Sequence, residues 1–110
     1  MTVKEAIDRF GFEALALPAP DREIAGGYCG DLLSWVMTRL QADEAWVTIM
    51  NNVNVIAVAS LADAACVILS EKAEVDETFI AKALEQGVNV LRSAHSSFAV
   101  CAMLGNCGDA

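Results

Sequence analysis

Three short apolar runs, Ala45–Met50, Ala65–Leu69 and Val88–Leu91, recur about twenty residues apart, and each is followed by a stretch with helical character. Parallel strands need crossover connections of about a dozen residues or more, usually helices, and this spacing leaves room for one each time. The expected fold is therefore α/β, a three-layer, mostly parallel sheet flanked by helices. At 110 residues the chain can bury one core but not two, so residues 1–110 are expected to form a single domain.

The flanking elements follow from local signals. Thr2 and Glu5 make a capping box ahead of Val3, Ala6, Ile7 and Phe10, and Gly11 ends that first helix. Residues 12–17 predict a strand that stops at Pro18 and Pro20. The stretch from Asp21 to Gly30 is rich in glycine and reads as a turn leading to Asp31, whose carboxylate is expected to cap a helix with Leu32, Leu33, Val36, Met37 and Leu40 on one face. A helix from Asn52 or Asn54 to Ala62 is almost uniformly apolar and is expected to be buried on most sides. The next has an Asp76 cap, Phe79, Ile80, Ala83 and Leu84 inward, and Gly87 at its end. A last helix spans about Ser96 to Leu104, followed by a loose tail, residues 105–110.

Composition narrows the function classes. Apolar residues make up 55% of the chain and charged ones 20%, which excludes disorder and leaves apolar surface for a homo-oligomer interface. The formal charge of −8 is spread along the chain, and the seven basic residues never cluster, so neither nucleic acid nor an anionic membrane is an expected partner. Met1–Arg9 lacks a basic start followed by an apolar h-region, and no apolar run approaches spanning length, which predicts a cytoplasmic protein. Cys29, Cys66, Cys101 and Cys107 show no zinc-ligand spacing and are expected to be small buried thiols.

In a parallel sheet the loops after the strands' C-terminal ends converge on one edge, where open α/β folds place ligands. Asn51, Asn52 and Asn54 follow the first regular strand, Ser70 and Glu71 the second, and Arg92, Ser93, His95, Ser96 and Ser97 the third. With Gly26, Gly27 and Asp31, the expected ligand-binding set is Gly26, Gly27, Asp31, Asn51, Asn52, Asn54, Ser70, Ser93 and His95, and the expected ligand is a small anionic or nucleotide-like metabolite. Helix capping is the competing role for each Asn and Ser taken singly. Neither phosphate-loop pattern, G-x-G-x-x-G or G-x-x-x-x-G-K-[ST], occurs. His95 is the single histidine, and no catalytic set, metal site or cofactor is expected. The enzymatic alternative is a phosphoryl or acyl transfer by Cys29 or a loop serine with His95. An exposed Trp35 would point to an interface, a buried one to core.

Asp21-Arg22-Glu23-Ile24-Ala25-Gly26-Gly27 resembles the Asp-Arg-x-x-x-Gly-Gly element of the DRTGG domain, with Ala25 where threonine is usual. The resemblance continues through residues 30–37, 54–59, 65–70 and 87–93, and covers about Asp21 to Leu104. It implies a regulatory module without enzymatic activity, of the kind found beside CBS-domain pairs and in some phosphotransacetylases, with a fold similar to the N-terminal domain of bacterial HPr kinase. It carries the family's glycines to Gly26 and Gly27, its acidic helix start to Asp31 and its polar strand-end residue to Asn54; Ala25 offers no hydroxyl for a ligand contact. Single-domain relatives occur in anaerobes near iron-hydrogenase genes, which adds a third alternative, an accessory or assembly subunit of a redox complex. A kinase assignment is not implied, since the phosphate loop of HPr kinase lies in its other half.

Overall fold

A computed structural model describes residues 1–107 of the chain. In order, the elements are α1 (Val3–Phe10), β1 (Glu13–Ala16), β2 (Gly26–Cys29), α2 (Leu33–Arg39), β3 (Glu44–Thr48), α3 (Val53–Ala62), β4 (Cys66–Leu69), α4 (Glu77–Gln86), β5 (Val90–Arg92) and α5 (Ser97–Cys107). The five strands form one sheet in the order β1-β5-β4-β3-β2. Strands β2 to β5 are mutually parallel, and β1 runs antiparallel to β5.

Side chains on successive strand residues point to opposite faces, so each apolar run feeds two cores. Trp46, Val67, Leu69 and Val90 pack with α2, α3 and α4, whereas Ala45, Val47, Cys66, Ile68 and Leu91 pack with α1 and α5. Because β2 to β5 are consecutive neighbours, their three crossovers put α2, α3 and α4 on one face, as right-handed connections require. After β5 the chain turns to the other face, where α5 lies across β2 and β3.

The local signals for α1 act as expected: the Thr2 hydroxyl accepts from the Glu5 amide at 3.1 Å, the Glu5 carboxylate accepts from the Thr2 amide at 2.8 Å, and Gly11 closes the helix at φ +73°. At α4 the Asp76 carboxylate accepts from the Phe79 amide at 2.9 Å, without a reciprocal bond, and Gly87 closes the helix at φ +71°. Other expectations need correction. The glycine-rich segment is not a turn: Gly26–Cys29 forms an edge strand beside β3, where main-chain pairing on one side outweighs glycine's low strand propensity. Asp31 does not cap α2. Leu32 holds the N-cap position without a side-chain bond, and the Asp31 carboxylate reaches the end of β3 instead. On α2 only Val36 and the C-cap residue Leu40 are buried, while Leu32 and Met37 are exposed, because two turns at the edge of the layer bury a narrow i, i+4 stripe. Helix α3 buries Val55, Ile56, Val58 and Ala59 but leaves Leu61 79% exposed, since solvent covers the side facing away from the sheet. Leu84 of α4 is also exposed. Residues 105–107 of the expected tail continue α5, and residues 108–110 lie outside the described part.

Candidate functional site

The four parallel strands end on one rim, and β1 begins there, because Glu13 pairs with Arg92. This rim carries Gly30–Asp31, Ile49–Asn52, the turn after Leu69, the loop after Arg92 and the Phe10–Gly11 corner. The loops after β4 and β5 leave toward opposite faces, a divergence that opens a crevice in many α/β sheets. Here main-chain bonds stitch it shut. The Ser93 amide donates to Leu69 O, the Lys72 amide to Ser93 O and the Glu71 amide to His95 O, each at 2.8 Å. The Ser70 and Ser97 hydroxyls share a hydrogen bond of 2.6 Å beneath them.

Concave space lies instead beside β5, in a cleft of about 250 Å³ lined by Phe10, Gly11, Glu13, Lys72, Arg92, Ser93, Ala94 and His95. Its geometry depends on the turn Ser70–Ala73, closed by the Ala73 amide on Ser70 O at 3.2 Å. Glu71 and Lys72 there have φ of +58° and +53°. Two consecutive non-glycine residues in the left-handed region carry a cost of about 1–2 kcal/mol each. The stitching bonds hold them there and keep Lys72 at the cleft. Arg92 is oriented by a two-point ion pair, its Nε and Nη2 each 3.0 Å from a Glu13 carboxylate oxygen, and its Nη1 donates to Ala73 O at 3.3 Å. Its charge is thus largely answered. Lys72 makes no salt bridge among the described residues, and the His95 ring makes no hydrogen bond among them.

Of the nine residues expected from sequence, only Ser93 and His95 line the cleft. Gly26 and Gly27 pair with Glu44 and Ala45, at the starting end of the strands and thus at the opposite rim. Asp31 accepts from Thr48 Oγ1 at 2.7 Å and from the Ile49 amide at 2.9 Å. Asn51 donates to Glu74 O at 2.6 Å, and Asn52 caps α3 through the Asn54 amide at 3.0 Å. Ser70 is fully buried in its bond to Ser97, and Asn54 is exposed on the first turn of α3. Lys72, Arg92 with Glu13, and the Phe10–Gly11 corner were not in the expected set. The antiparallel β1–β5 pairing brings Glu13 and Arg92 together, and no local signal marks Glu71 and Lys72 for the left-handed region.

Sequence reasoning also missed an association of thiols. Cys29 is exposed, not buried as expected, and its thiol neighbours that of Cys101 on α5 and the Ser97 hydroxyl. Partial burial of the sulfur, then Cys101 and the Asp31 carboxylate, push the Cys29 thiol up to about 11, with Ser97 opposing. Cys66 does match the expectation of an inert core thiol, pushed up to about 12 by complete burial. Cys107 lies beyond the side chains described. Among the described residues no group of three or more His, Cys, Asp or Glu is placed to hold a metal ion, and no helix is long and apolar enough to cross a membrane.

The family model of the DRTGG domain matches residues 29–107, more than half of the chain. The chain belongs to the DRTGG domain family. The match begins beyond Asp21–Gly27, so it rests on the segments that follow. Among solved structures, the chain is similar to the CBS and DRTGG domains of the regulatory region of Clostridium perfringens pyrophosphatase, a structure complexed with the activator diadenosine tetraphosphate. The TM-score is 0.74 at 11% identity, covering 94% of this chain and 45% of that one. At that identity the likeness concerns the fold, and this chain spans less than half of the neighbour. No curated protein sequence matches.

Proposed function

We propose that this DRTGG domain is a non-catalytic, cytoplasmic regulatory module that binds a small phosphate-bearing, nucleotide-like metabolite in the cleft beside β5. The observation that carries the reading is the strained turn at Glu71 and Lys72, held by bonds to the loop after β5, which keeps an ammonium group without an ion-pair partner among the described residues at a cleft that also holds Arg92, Ser93 and His95. Strain of this kind persists where the surrounding structure enforces it, and it concentrates at ligand sites. The similar fold in a pyrophosphatase regulatory region complexed with a dinucleotide activator supports a nucleotide as the ligand class. Against catalysis by His95 stands its ring, which has neither a thiol nor a hydroxyl partner among the described residues.

Thermal shift and calorimetry with AMP, ATP, diadenosine tetraphosphate, acetyl phosphate and inorganic phosphate test this, because a ligand of the native state raises its stability by mass action. A saturable shift with at least one nucleotide, lost in Lys72→Glu, is expected. No shift at millimolar concentration in the wild type would overturn the reading.

A homo-oligomer is the second element of the proposal. Around α2, Leu32 at the N-cap, Trp35 and Met37 are exposed, no acidic residue occurs from Leu32 to Ala42 in a chain of net charge −8, and Trp35 lies under the Arg39 guanidinium at 3.9 Å. Light scattering of wild type and Trp35→Glu measures self-association. Co-purification separates it from membership of a larger redox complex on the same face.

A further inference from the structure

Strand β2 is one of the two edge strands of the sheet, and its last residue, Cys29, is exposed at the C-terminal rim. Helix α5 lies over β2 and β3, and Ser97 and Cys101, four positions apart, share one helix face. Both touch Cys29. The result is a two-thiol site with an open side, where a reagent reaches Cys29, and a sheltered side formed by half-buried Cys101. We propose that Cys29 and Cys101 form a reversible dithiol–disulfide site that ties the end of β2 to α5, with a small disulfide of the glutathione type as its oxidising partner.

The step balances as an exchange. The Cys29 thiolate attacks one sulfur of the small disulfide, and the S–S bond breaks, releasing one small thiolate that takes a proton. Cys101, having lost its own proton, then attacks Sγ of Cys29 in the mixed disulfide. The Cys29–Cys101 bond forms as the second small thiolate leaves and is protonated. The protein dithiol is oxidised by two electrons and the small disulfide reduced by two. Because Cys29 stays protonated up to about pH 11, little thiolate is present near neutrality, so exchange is slow and quickens about tenfold per pH unit as the solution becomes alkaline. Cys66 takes no part, being enclosed in the core. The closed loop spans from Cys29 to Cys101, most of the chain, so oxidation restricts the unfolded state strongly.

The test uses the full chain, reduced and then incubated with oxidised glutathione at mildly alkaline pH, followed by alkylation, intact mass and peptide mapping. The expected product is about 2 Da lighter than the dithiol before alkylation and carries a Cys29–Cys101 link. Its Tm is raised by at least about 5 °C and returns on adding dithiothreitol. Cys29→Ser and Cys101→Ser should each lose the link and the Tm rise. A lasting glutathione adduct on Cys29, a link to Cys107 instead, or two thiols still open to alkylation would overturn the proposal. Mapping of the wild type decides the matter even if a serine variant fails to fold.

Discussion

The two rims of the sheet use the same strained backbone to different ends. Each holds two non-glycine residues at positive φ, Asp43 and Asp63 where β3 and β4 begin, Glu71 and Lys72 where β4 ends. At the first rim one guanidinium answers both aspartates. Arg22 Nη2 lies 2.9 Å from Asp43 and 3.0 Å from Asp63, and it also donates to Asp63 O at 2.6 Å. Nearby, buried Asn89 bonds the Ala19 amide and the carbonyls of Ala19 and Ala65. That rim is saturated. At the second rim the turn is pinned by main-chain bonds to the loop after β5, by Arg92 on Ala73 O and by the Ser70–Ser97 hydroxyl pair, none of which engages the Lys72 or His95 side chains, and these face a cleft. Strain whose side chains are paired is a joint; strain that leaves a cation unpaired beside concave space is a candidate binding site.

Substitutions can break this contrast, and the largest effect belongs to the saturated rim. Asn89→Ala removes three hydrogen bonds and strands buried main-chain groups, so a loss of about 3 kcal/mol is expected in urea unfolding. Arg22→Ala, which leaves Asp43 and Asp63 to repel each other, is expected to cost about 2 kcal/mol by the same measurement. Neither should change the affinity of a ligand at the cleft. Lys72→Gly sharpens the comparison by acting in opposite directions: it relieves the left-handed strain and raises stability by about 1 kcal/mol, yet weakens nucleotide binding in calorimetry. A loss of stability there would mean that Lys72 belongs to a joint.

Gly27→Ala should change stability by less than about 1 kcal/mol, because an added Cβ would lie 3.5 Å from Ala45 O and the backbone is not left-handed. The smallest effect concerns Glu5, whose carboxyl is held below its ordinary range first by the Thr2 amide and then by the Thr2 hydroxyl. A lowered folded-state pKa contributes stability above the ordinary carboxylate range and loses it as pH falls through the folded value. Glu5→Gln should therefore flatten the acid limb of a stability–pH curve and leave its alkaline limb unchanged.

Much of the fold was legible because it is local or periodic. The Thr2–Glu5 box, the Asp76 and Gly87 caps and the recurring apolar runs identify helices and strands through contacts a few residues long, and their spacing implies a parallel sheet. Of the segments quoted for the family resemblance, those from Gly30 onward lie within the matched residues 29–107, and Asp21–Gly27 lies outside them. The candidate site was less legible. Gly26 and Gly27 resembled loop residues because glycine disfavours strands, yet the exposed backbone of β3 recruited them as an edge. Asp31 sat where a cap belongs, but its carboxylate found the Thr48 hydroxyl one strand away.

By itself the sequence determined that helices and parallel strands would alternate, that the strand ends would share a rim, and that Ser93 and His95 would stand on it. Only the tertiary structure decided which rim residues face open space, that Glu13 would meet Arg92, that Arg22 would join two strand starts, and that Cys29 would lie beside Cys101. The physical reason is range. Periodicity and caps act over a turn or a strand, whereas these pairings are set by sheet order and by the face on which α5 packs, and both are chosen by burial of the whole core.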